Sequence, residues 1–116
     1  MENEKVFAMT VGKVIPLLVA KAERKDRTQE EVYAVICWLT GYTEDGIAKK
    51  IQENVTYREF FEQAPEMNPV WENITGSICG VKIQEIADPL MKKIRCLDKL
   101  VDELAKGKPL NRVLRQ

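Results

Sequence analysis

The chain has 116 residues, with 18 Lys and Arg against 18 Asp and Glu, no histidine, and 45% hydrophobic residues. That is the size of one ordinary domain, able to fold on its own core, and too apolar for a disordered chain. Without histidine, this chain alone builds no Ser-His-Asp triad, Cys-His dyad or histidine metal site. Any catalysis would fall to carboxylates, Lys, Tyr, Cys or a bound cofactor.

Taken in chain order, Phe7, Val11, Val14, Ile15, Leu18 and Ala22 recur at helical spacing and predict a helix to about Lys25, with Thr10 as its cap. Pro16 lies inside that pattern and predicts a kink. Thr28 with Glu31 forms a capping box that opens a second helix, closed by Gly41. Thr43 caps a third helix through about Glu53, which Gly46 weakens by about 1 kcal/mol relative to Ala. Thr56 with Glu59 opens a short helix carrying Phe60 and Phe61, ended by Pro65. Residues 65–77 read as irregular, and Ile78, Val81, Ile83 and Ile86 fit either a short strand or a helical turn. Asp88-Pro89 is an N-cap followed by proline at the first helical position, and Leu90, Ile94, Leu97, Val101 and Leu104 continue to Gly107. Leu110, Val113 and Leu114 suggest a last short helix. The expected fold is mainly α: one globular domain over 1–116, a compact bundle of about five helices, with room for a strand pair near residues 78–86.

Charge is unevenly spread. Residues 1–27 carry six Lys and Arg against four Asp and Glu, residues 28–88 four against eleven, and residues 89–116 eight against three. This layout suits attraction between subunits or segments and argues against nucleic acid, whose binders are basic overall. No run approaches the roughly 18 apolar residues of a membrane span. The opening Met1-Glu2-Asn3-Glu4 is acidic, unlike a secretory leader. Cys37, Cys79 and Cys96 are odd in number and widely spaced, which is neither a disulfide framework nor a zinc knuckle. The expected compartment is the cytoplasm.

Trp38-Leu39-Thr40-Gly41-Tyr42, Ile74-Thr75-Gly76 leading to Cys79-Gly80-Val81, Asp88-Pro89-Leu90-Met91, and Ile94-Arg95-Cys96-Leu97-Asp98-Lys99-Leu100 stand in one colinear order. With Val19–Lys25 and Asp102–Lys108 they resemble a family of short bacterial proteins, the domain of unknown function 2200, from about Phe7 to Leu114. One departure is Cys96, where an aromatic residue, usually tyrosine, is expected. The resemblance implies a bacterial, stand-alone protein and carries over no activity and no functional residue.

Four constellations bear on function. Trp38 and Tyr42 lie four apart at the end of the second helix, and Asn68, Trp71, Asn73 and Thr75 lie on the irregular segment. If these groups meet, with Cys79 nearby, they form a pocket for a small ligand or peptide; if not, the tryptophans plug the core. Thr75-Gly76-Ser77-Ile78-Cys79-Gly80 places glycines about a thiol, as an anion loop does, but no Gly-Lys-Ser/Thr of a phosphate-binding loop follows. The stripe from Leu90 to Leu104 serves a coiled-coil seam or the central helix of a bundle. Asp98 and Asp102, one turn apart, suit a shared cation or ordinary pairing with Arg95, Lys99 and Lys106. No catalytic, cofactor or metal residue is assigned. The expectation is a non-enzymatic binding or interaction protein, homo-oligomeric or with a protein or small-molecule partner. The alternatives are a ligand-binding protein or histidine-free enzyme using residues 68–80 with Trp38 and Tyr42, and a weak nucleic-acid binder through the basic C-terminal segment.

Overall fold

Local capping sets most of the helix starts. In the computed structural model, which describes residues 2–78 and 80–115, the Thr28 hydroxyl accepts from Glu31 N while the Glu31 carboxylate accepts from Thr28 N. Thr56 and Glu59 repeat the arrangement. Thr43 accepts from Gly46 N, and Asp88 accepts from both Leu90 N and Met91 N. Each such bond satisfies an amide that the first helical turn leaves without a partner.

Seven α-helices result among the described residues: α1 Glu2–Phe7, α2 Val11–Glu23, α3 Gln29–Thr40, α4 Glu44–Gln52, α5 Tyr57–Glu62, α6 Pro89–Ala105 and α7 Leu110–Val113. Single turns of 3-10 helix cover Pro69–Glu72 and Ile83–Glu85. The stretch near 78–86 is part strand and part helical turn. Strands β1 Ser77–Ile78 and β2 Val81–Lys82 pair antiparallel, Ser77 opposite Lys82 and Ile78 opposite Val81. The fold is mainly helical, with more elements than the five or so expected, because the chain's first residues form their own helix. Phe7 ends α1 instead of belonging to α2, and the break falls at Thr10. Helix α2 runs on past Pro16, which lies in its second turn.

Helix α6 is the axis of the molecule. It packs against α2, α3, α5, α7 and β1. Met91, Ile94, Leu97, Leu100, Val101 and Leu104 are buried within this single chain. Of the stripe from Leu90 to Leu104, Ile94, Leu97, Val101 and Leu104 are therefore core and Leu90 is half-buried against it, and each buried leucine contributes about 1.5–3 kcal/mol. The radius of gyration is 13.1 Å, near the roughly 13 Å of a compact 100-residue domain.

Two joints bring distant parts of the chain together. The α1–α2 joint is stitched to the α4–α5 joint: Thr10 and Thr56 form an antiparallel bridge, Tyr57 N donates to Met9 O at 2.7 Å, and Val11 N donates to Val55 O at 3.0 Å. This places Tyr57, the first residue of α5, against the start of α2. The α2–α3 joint is tied to the end of α6 by Arg27, whose guanidinium grips Glu31 and also donates to Leu104 O and Lys108 O, both at 2.9 Å. No helix of the described residues is long and apolar enough to cross a membrane.

Candidate functional site

The residues singled out in the sequence separate in the fold. Trp38 and Asn68 come together along a surface groove of about 350 Å³ that Cys37, Gly41, Glu66 and Pro69 also line. There Asn68 Nδ2 donates to Trp38 O at 3.5 Å, and Asn68 Oδ1 accepts from Val70 N at 3.0 Å. The Asn68 side chain is thus engaged in holding its own loop. Gly41 ends α3 in the left-handed region at φ +82, so Tyr42 turns away from Trp38 and into the core. It stacks on Phe60 at 4.5 Å and donates its hydroxyl to Phe60 O at 2.7 Å. Burial, helped by Glu53, pushes its phenol up to about 12.

Trp71 is half-buried on α6, with the ammonium groups of Lys93 and Lys92 at 5.0 and 5.8 Å from its ring, and its carbonyl accepts from Cys96 Sγ at 3.3 Å. Asn73 and Thr75 are exposed. Cys79 lies outside the described residues. In the loop before it, Gly76 N already donates to Gln84 Oε1, and Ser77 O accepts from Lys99 Nζ. The other two thiols are free, and burial raises both, Cys96 to about 11. Asp102 pairs with Lys106 at 3.1 Å and Lys21 at 3.3 Å, and Asp98 pairs with Arg95 at 3.4 Å. The basic C-terminal segment is likewise paired in part, since Glu103 takes Arg115 at 2.6 Å and Lys108 at 3.4 Å.

A different site carries stronger physical signals. Between α1, α2, α5 and α6 lies a cleft of about 240 Å³. Its walls are apolar: Val6, Met9, Val14, Leu17, Leu18 and Ile94. Leu17, at 57% exposure, leaves the cleft an apolar edge open to solvent. Three polar residues join the walls: Tyr57, Arg95 and Asp98. Tyr57 is 3% exposed, and its hydroxyl has no hydrogen-bond partner among the described residues. A buried donor left unmade costs about 1–3 kcal/mol, so such groups are rare in folded proteins.

Burial drives the Tyr57 phenol far above its ordinary range; Asp98 adds to that and Arg95 opposes it. The group is therefore a neutral O–H donor at any physiological pH. Burial also raises the Asp98 carboxyl, against the pull of Arg95 and Lys21. A carboxyl and a phenol both shifted by desolvation in one apolar cleft are what a binding or reactive centre presents. Composition alone does not reveal this cleft. The available signal is a tyrosine beside an N-cap and an aspartate on the flank of the α6 apolar stripe.

The comparisons agree with this fold and add no activity. No curated protein matches the chain. The solved crystal structure of the uncharacterized protein SP1917 is 49% identical, superposes with a TM-score of 0.91, and matches over 97% of this chain and 92% of that one. The family described as an uncharacterized protein conserved in bacteria, the domain of unknown function 2200, matches residues 5–115, and the chain belongs to that family.

Proposed function

We propose that this chain is a small, non-enzymatic binding protein that captures a small amphipathic molecule in the cleft between α1, α2, α5 and α6. The carrying observation is the Tyr57 hydroxyl, buried among apolar walls with no partner among the described residues. The hydroxyl is covered in the free protein, so a ligand acceptor would supply the missing hydrogen bond by displacing the cleft wall over it. The cleft, at about 240 Å³, is below the roughly 300–1,000 Å³ of pockets for drug-sized molecules. That size argues for a ligand of about ten heavy atoms or fewer. The non-enzymatic reading draws on the missing histidine and on the Cys37 and Cys96 thiols, raised rather than lowered. Placement in the cytoplasm draws on the free thiols Cys37 and Cys96.

A second copy of the chain seated on Leu17 is the competing occupant, and it suits the uneven charge layout. Methyl-resolved NMR of the labelled protein, titrated with short carboxylic acids, amides and amino acids to about 10 mM, tests the proposal. Shifts confined to the methyls of Val14, Leu17, Leu18 and Ile94 are expected. Shifts centred on the Trp38 groove, or none with any compound, would overturn it. Shifts of Leu17 with protein concentration alone would favour the second copy.

A further inference from the structure

We propose that the cleft takes an α-amino acid with a short apolar side chain, its carboxylate on Arg95 and its ammonium on Asp98. This deepens the cleft reading and rests on it. The charged groups of the cleft are one guanidinium and one carboxylate, three residues apart on α6. Their sum is zero, so a zwitterion enters without leaving a buried charge uncompensated, whereas a simple anion meets Asp98 and a simple cation meets Arg95.

The pair itself is loosely made. A single contact of 3.4 Å joins Arg95 Nη1 to Asp98 Oδ2, although a guanidinium offers five donors in a fork that suits a carboxylate held at two points. A ligand carboxylate can take that fork. Asp98 is acceptor-only when ionised, which matches the three donors of an ammonium. Desolvation already disfavours the charged Asp98 carboxylate, and a cation brought beside it restores that form. Lys21 is held at Asp102, 3.3 Å away, and so does not supply that cation by contact. Val14, Leu18 and Ile94 offer aliphatic walls for a branched side chain. No nucleotide or aromatic cofactor fits a cleft of about 240 Å³.

The test is isothermal titration calorimetry of the full chain with L-leucine, with 4-methylpentanoate, which lacks the amine, and with 3-methylbutylamine, which lacks the carboxylate. L-leucine is expected to bind about tenfold more tightly than either half-molecule. In Asp98→Asn, L-leucine should lose about tenfold while 4-methylpentanoate, freed of the like charge, binds more tightly, which also shows that the variant is folded. If 4-methylpentanoate or 3-methylbutylamine binds wild type as well as L-leucine does, the zwitterion assignment falls and the cleft reading stands. If Asp98→Asn keeps full affinity for L-leucine, the assignment of the ammonium falls. If none of the three binds at about 10 mM while the NMR titration finds another occupant of the cleft, only this inference fails. If neither experiment finds binding, both fail.

Discussion

Gly41→Ala is expected to destabilise the protein by about 3–5 kcal/mol, a large part of the roughly 5–15 kcal/mol that holds a domain together. Gly41 sits at φ +82 at the end of α3, where a side chain costs about 1–2 kcal/mol. Space makes it worse. A Cβ there would lie 2.7 Å from Glu66 N and 2.9 Å from Glu66 O. Those are backbone atoms of the strap that donates Glu66 N to Thr40 O and Asn68 N to Leu39 O. Pushing the strap away loosens both bonds, at about 1 kcal/mol each. Gly107 is the control, since its φ is +100 but a Cβ there meets nothing within 4 Å. Gly107→Ala should cost only about 1–2 kcal/mol. Urea unfolding of the two variants checks this. Equal losses would mean that the close approach of the strap contributes nothing.

Arg27→Met is the second large effect, about 3 kcal/mol at neutral pH. Arg27 spans three elements: Nε and Nη2 reach Glu31 at 3.2 and 2.7 Å, and Nη1 caps the Leu104 and Lys108 carbonyls. Methionine keeps most of the stem's packing and removes every bond. The loss has a pH signature. The hydrogen bonds from Arg27 outweigh burial and, with the Thr28 amide, pull the Glu31 carboxyl from 4.5 down to about 2. A depressed carboxyl stabilises the fold above its unfolded value and loses that contribution as pH falls through its folded value. In wild type, the Glu31 contribution is complete above about pH 5 and disappears between about 4.5 and 2. Arg27→Met should lower stability at pH 7 and flatten the decline through that window. Denaturant unfolding at pH 7 and at steps from 5 to 2 measures both. An unchanged acid limb would show that Glu31 draws its stabilisation from elsewhere.

The sequence is most legible where the determinants are local. Thr28 with Glu31, Thr56 with Glu59, and Asp88 before Pro89 mark helix starts because cap and first turn lie within three residues. Helix α1 is hidden because its support is distant: Arg58 of α5 stacks over Phe7 at 4.7 Å. Pairing Trp38 with Tyr42 requires helical spacing to continue to Tyr42. The left-handed turn at Gly41 ends it one residue earlier and sends the two rings to different sides. The cleft is illegible for a related reason. Tyr57 meets Met9 through a bridge between two loops, and Arg95 and Asp98 come from a helix that begins more than thirty residues later. Nothing in local spacing links them, and a tyrosine whose hydroxyl has a partner reads the same as one whose hydroxyl has none.

That contrast offers the most direct test of the cleft as an unfilled site. Tyr42 and Tyr57 are both buried, but Tyr42 donates to Phe60 O and Tyr57 donates to nothing among the described residues. The measurement is equilibrium unfolding of Tyr42→Phe and Tyr57→Phe in the absence of added ligand. Tyr42→Phe should lose about 1–2 kcal/mol, because a buried hydrogen bond is removed. Tyr57→Phe should gain about 1–3 kcal/mol, because an unmatched donor is replaced by a ring of the same shape, and should bind the cleft's ligand less tightly. A loss of stability in Tyr57→Phe comparable to that in Tyr42→Phe would mean that the hydroxyl is already satisfied within the fold, and the case for a waiting site would end there.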